Sequence, residues 1–145
     1  MINIPEVVRI KASIQTGSVY YFPDEHLTSK DPHYFIVINI NPLTDSILLL
    51  LCVSSQIEKV KNRCRNNPET SVMIFKNEYE PLQKDSIVNC NDIFQISIDQ
   101  LIAKLQSGQL KIKPEMDQKI IEKFHLAIFQ SLQVSLEIKK ILGYE

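Results

Sequence analysis

The sequence has no tryptophan, only three cysteines and no surplus of either charge. Cys52, Cys64 and Cys90 are odd in number and form no CxxC pair. That disfavours a disulfide framework of the secreted kind. Cys52 stands inside an apolar run and reads as a small core residue. Lys plus Arg number 16 and Asp plus Glu 17, a formal net charge of -1. No molecule-wide basic field exists to draw in nucleic acid or an anionic membrane, so either partner would need a local patch. The longest apolar run, Ile47 to Val53, is far short of the roughly 20 residues of a membrane span. The opening stretch MINIPEVVRIKASIQ carries Pro5, Glu6, Arg9 and Lys11 and has neither the apolar segment nor the cleavage site of a secretion signal. The expected compartment is the cytoplasm, and no membrane partner is expected.

What is present describes one ordinary domain over 1–145. With 44% apolar and 23% charged residues, a chain of this length buries a core without staples. Long-range disorder, collagen-like repeats and coiled coil are excluded for the chain as a whole.

Strand-type runs dominate the first hundred residues. Ser18 to Phe22, after Gly17, is rich in β-branched and aromatic residues. A polar loop over 23–32 follows, bounded by Pro23 and Pro32 and longer than a hairpin connection. His33 to Ile40 is a second strand, Asn41 to Asp45 a turn by composition, and Ile47 to Val53 a third strand. Runs this continuous indicate strands buried on both faces, as in an antiparallel barrel with a helix covering one face. Ile57 to Cys64 reads as a short helix or turn. Further strands are expected at Thr70 to Phe75, Asp85 to Cys90 and Ile93 to Ile98. Asp99 opens a short helix that Gly108 stops. Lys113-Pro114-Glu115 looks like a helix start, and Ile120, Ile121, Phe124, Ala127 and Ile128 make a helical apolar face. Residues 132–142 fit either a helical continuation or alternation. The expected class is α+β, mainly β: a small barrel or bent sheet of five to six antiparallel strands with C-terminal helices.

The order of these pieces resembles the PemK/MazF-like toxin family, which has an SH3-like barrel. The residues that carry the likeness are Gly17-Ser-Val-Tyr-Tyr-Phe22, Pro32 with the strand behind it, the strand 47–53 ending in Ser54-Ser55-Gln56, and the stretch from Asp85 to Leu101. The last is the most specific. Ile102 to Leu110 and the helix from Pro114 look like the family's closing segment. The likeness spans roughly residues 17–130, with an atypical insertion around 57–84. It implies a toxin-like component of a toxin–antitoxin pair. It also implies metal-independent cleavage of single-stranded RNA, no cofactor, a homodimer and neutralisation by a small antitoxin. The family's chemistry rests on an Arg before the strand-two Pro and a Thr or Ser ending strand three. Ser54 matches the second position, whereas Asp31 stands at the first.

Metal-free RNA cleavage must take a proton from a 2′-hydroxyl, give one to the leaving oxygen and hold the phosphate charge. His33 suits proton transfer because its ordinary pKa of about 6.5 serves both directions near neutrality. His26, in the same loop, is a second acid–base candidate. Ser54 is a hydrogen-bond donor to a phosphate oxygen, and Lys30 is a charge in place of the missing Arg, as a point rather than a fork. Lys59, Lys61, Arg63 and Arg65 form the basic cluster, a candidate RNA-backbone contact together with Ser55. The plainer reading of each is ordinary: loop histidines are solvated, Ser54-Ser55 is a strand-end cap, and the cluster is a solvated face. Tyr20, Tyr21, Tyr34 and Phe35 offer stacking surface, about half of it assigned to the core by alternation. His26 and His33 lack zinc spacing, so no metal site is expected. The alternative from another class is a non-catalytic binding module for a protein or RNA.

Overall fold

The computed structural model describes residues 5–27 and 30–145. Two residues of the loop expected over 23–32, Thr28 and Ser29, lie outside the described residues, as do residues 1–4. The elements run α1 (Glu6–Ser13), β1 (Val19–Phe22), β2 (His33–Val37), β3 (Leu48–Ser54), α2 (Ile57–Arg63), a 3-10 turn (Pro68–Thr70) and β4 (Ser71–Ile74). They continue with β5 (Ser86–Asn89), β6 (Phe94–Ile96), α3 (Ile98–Gln106), β7 (Lys111–Lys113), α4 (Gln118–Phe129) and α5 (Leu136–Ile141). No helix among the described residues is long and apolar enough to cross a membrane.

The class is α+β, with an antiparallel sheet in the order β4-β5-β3-β2-β1-β7 and β6 paired to β3 beside that path. That makes seven strands, against five or six expected. Among the described residues the ladder is open, with β4 and β7 as its edges; the hydrogen bonds do not close a ring.

β3 explains why the apolar runs are continuous. Leu49, Leu51 and Val53 enter one core, with Ile36, Ile38 and the α4 residues Ile120, Ile121, Phe124 and Ile128. Leu48 and Leu50 enter the other, with Tyr20, Phe22, Phe35, Ile10 of α1 and Leu101 and Ile102 of α3. The strand's two-residue period divides the leucines between the cores. Helices therefore cover both faces, where one covered face was expected.

Along one edge β3 pairs with two strands in turn. Moving three residues back along β3, from Val53 to Leu50, moves six residues along its partner, from Val88 to Phe94. The surplus residues, Cys90 to Asp92, form a bulge that bends the strand pair. Asn91 anchors it: its amide donates to Thr70 Oγ1 at 2.8 Å, and its carbonyl accepts from the buried Ser131 hydroxyl at 2.5 Å.

The ends of the chain depart most from expectation. The helix start expected at Lys113-Pro114-Glu115 is not one: Lys113 ends a strand, Lys111–Lys113, on β1, and α4 begins only at Gln118 behind its cap Asp117. Gly17 holds this junction. Its φ of +93° suits glycine, its carbonyl accepts from Met116 N–H at 2.8 Å, and a Cβ there would lie 3.0 Å from the Met116 carbonyl oxygen. α3 begins at Ile98 rather than Asp99, because Ser97 and Gln100 form a reciprocal capping box. Residues 132–142 are helical only from Leu136, with Ser135 as cap.

β2 ends at Val37, three residues short of the expected strand, because a side chain takes over the ladder. Asn39 is fully buried. Its amide donates to Asp45 Oδ2 (2.8 Å) and to the Ile47 carbonyl (3.0 Å), and its Oδ1 accepts from Leu49 N–H (2.6 Å). Asn39→Leu removes these partners while leaving buried polar groups behind. Urea unfolding is expected to show a loss of about 2–4 kcal/mol. A loss below 0.5 kcal/mol would show that the site relaxes to water.

Candidate functional site: a cleft at the open end of strands two and three

The ladder between β2 and β3 ends at Phe35↔Cys52, while β3 runs on to Ser54. Continuing the register by two residues puts His33 opposite Ser54. There the strands border a cleft of about 450 Å³ that both residues line. Its floor is apolar, with Cys52, Phe94 and Leu27. Tyr21 and Tyr34 form a shelf, their ring centroids 4.5 Å apart and tilted by 44°. The opposite wall is α2, with Lys59, Val60 and Arg63.

His33 is half-buried, and its Nδ1 is buried without a hydrogen-bond partner among the described residues. Such an atom is rare in a folded protein. Ser54 is half-buried, and its Oγ accepts from the Gln56 N–H at 3.1 Å. The strand-end cap is thus real, and the hydroxyl proton is still free to donate. Both plain and chemical roles fit one side chain.

The structure divides the other candidates. Ser55 lines the cleft. Lys59 and Arg63 face it together, as residues four apart on a helix do. Lys61 and Arg65 are exposed and do not line it. Lys30 and His26 are also exposed and off the cleft; His26 uses its backbone N–H to bind Asp24 Oδ1 at 2.8 Å, within a turn. Of the aromatics, Tyr20 and Phe35 are fully buried. Tyr21 and Tyr34 are the accessible pair.

Several lining residues went unread in the sequence. Lys84 adds a third cation, Gln83 and Asn89 add amides, and Asp92 joins Asp31 as a carboxylate. Asn89 precedes the bulge and Asp92 ends it, and their Asn89 Nδ2 to Asp92 Oδ2 contact is 3.4 Å. Lys84 sits alone among turn residues, with no spacing to betray it. Among the described residues, no group of three His, Cys, Asp or Glu side chains converges as a metal site would.

Burial on the cleft floor pushes the Cys52 thiol up to about 12, and Asp24 and Asp92 add to the effect. Burial also raises the Cys90 thiol. Neither is a thiolate near neutrality, so neither is a nucleophile. Burial raises the Tyr34 phenol as well, with Tyr21 adding to it.

No model of a known protein family and no curated protein matches this chain.

The Cys52 environment is open to direct measurement. The ordinary thiol value of 9.0 against about 12 makes the thiolate fraction at pH 8 roughly a thousandfold smaller. Alkylation of native protein at pH 8 should leave Cys52 unmodified while denaturant exposes it to rapid reaction. The same shift lowers stability as pH rises from about 9 toward 12, since the unfolded chain loses that proton first.

Proposed function

We propose that the protein binds single-stranded RNA in this cleft and cleaves it through the neighbouring 2′-hydroxyl, as the toxin-like partner of a small antitoxin. The reading takes the open, bulged sheet as a variant of the SH3-like barrel, acting in the cytoplasm as a homodimer. One observation carries it: His33 and Ser54, each two residues beyond the last β2–β3 pair Phe35↔Cys52, line the same cleft, which is walled by Lys59 and Arg63.

The chemistry follows from those groups. His33 takes the 2′-hydroxyl proton. The freed oxygen bonds to phosphorus as the bond to the 5′ oxygen breaks, and the leaving oxygen takes a proton from solvent. The products are a 2′,3′-cyclic phosphate and a 5′-hydroxyl. Ser54 donates to a non-bridging oxygen, and the cations of the wall balance the charge that builds there. Tyr21 and Tyr34 supply a surface on which a base stacks.

A second reading has a specific observation in its favour. Asp31 occupies the position where the resembled family places its Arg, and Lys30 beside it does not line the cleft. A module that kept the cleft but lost the chemistry would bind RNA without turnover.

Incubation with a long unstructured RNA in EDTA separates the two. The cleavage reading expects discrete fragments ending in 2′,3′-cyclic phosphate. His33→Ala should slow their appearance by about 10²-fold or more, the range of a lost acid–base group. Ser54→Ala should slow it by about tenfold, the loss of one donor outside a fully dry site. A 2′-deoxy nucleotide at the cut position should abolish the reaction. Intact RNA with folded protein would overturn catalysis in favour of binding alone.

A further inference from the structure

We propose that Arg63 is the cation that grips the RNA phosphodiester in this cleft, so that α2 supplies what the position before Pro32 does not. The proposal rests on the cleft being an RNA site, and not on cleavage taking place there.

The rotation of α2 selects the residue. Val60 and Cys64 are buried and pack against Ile87 of β5, with Ile57 and Met73 around them. That contact fixes which way the helix faces. Residues one place before this buried pair, Lys59 and Arg63, point to one side and line the cleft. Residues one place after it, Lys61 and Arg65, point to the other side and do not. At about 100° per residue Lys61 lies on the flank of the helix away from Lys59 and Arg63, and Arg65 follows in the turn after the Cys64 cap. A single packing contact thus turns four sequential basic residues into two that matter for the cleft.

Charge and shape select Arg63 within that pair. Lys59, Arg63 and Lys84 make no ion pair among the described residues. Two carboxylates, Asp31 and Asp92, share the cleft; Asp92 is within reach of the Asn89 amide, and Asp31 has an interaction of its own. The cations are therefore not consumed by the acids beside them. A phosphodiester presents two non-bridging oxygens, and only a guanidinium meets both with a planar fork. Lys59 and Lys84 add point charges to the wall.

The test measures binding apart from cleavage. The full chain is titrated into a fluorescein-labelled 2′-O-methyl RNA oligomer, which has no free 2′-hydroxyl to react, and anisotropy is followed across a salt series. Arg63→Gln should weaken binding by about 10- to 100-fold and lower the slope of log affinity against log salt by roughly one. Arg63→Lys should restore the salt slope but not the affinity, because the fork is lost. Arg9→Gln, an equal charge loss on the exposed face of α1, should stay within about threefold as a purely long-range effect. Equal losses in Arg63→Gln and Arg9→Gln, or no binding by the unaltered protein, would overturn the proposal. The two claims fail separately. Binding that depends on Arg63 with RNA left intact removes catalysis and keeps the grip. Cleavage and binding at full strength in Arg63→Gln removes the grip and keeps the catalysis. Circular dichroism of each variant guards against loss of α2.

Discussion

β3 is hydrogen-bonded on both edges and buried on both faces, and most of the molecule is arranged to make that tolerable. A strand in that position must be apolar at every residue, and Leu48 to Val53 is. Two separate cores then have to be filled. α4 closes one, and α1 with α3 closes the other. Burial of this kind removes from water the largest share of apolar surface per residue that a small domain offers. It also removes freedom: a one-residue slip of β3 would exchange the two sets of leucines between cores shaped for different partners.

The same strand creates the cleft. β3 is longer than the ladder it makes with β2, so its last residues lean on β5 alone. β5 can reach them only because the Cys90–Asp92 bulge shifts the register between β6 and β5. The bulge in turn is pinned by Asn91 to Thr70 at the start of β4 and to Ser131 beyond α4. A polar cluster thereby holds the register in which β5 and β6 meet β3 beside the site. Fully satisfied networks of this sort hold one geometry and tolerate little adjustment.

Much of this was legible in the residues. The strands at 19–22, 33–37, 71–74, 86–89 and 94–96 fall within the segments whose composition announced them, and β3 overruns its segment by one residue, Ser54. The doubly buried strands followed from unbroken apolar runs. Three features resisted. α1 presents Val7 and Val8 to solvent while burying Ile10 and Ile14, so its apolar stripe is blurred. β7 is three residues, two of them lysines, and only its pairing with β1 makes it a strand. The helix signal at Pro114 was genuine local chemistry that lost to that pairing. The site shows the same division. His33 and Ser54 were visible as residue types at strand ends, but their juxtaposition depends on register, which no local pattern encodes. Lys84 and Asn89 enter the cleft through tertiary folding alone.

The basic cluster divides between a solvated face and the wall of a cleft. Lys61 and Arg65 are the solvated face that such runs usually are, and Lys59 and Arg63 are the wall of a cleft. Alternate spacing over 59–65 suited either a strand side or a helix ring, and only the burial of Val60 and Cys64 on Ile87 resolves it. α2 lies between β3 and β4 and packs on the sheet through β5. A helix that packs on β5, covers its own apolar side and turns two cations toward the cleft lined by His33 and Ser54 sets the charge of the site without touching its strands. A helix on the rim is the physically economical place to put such charge, because its exposed positions are free to vary while β2 and β3 are tied into two cores.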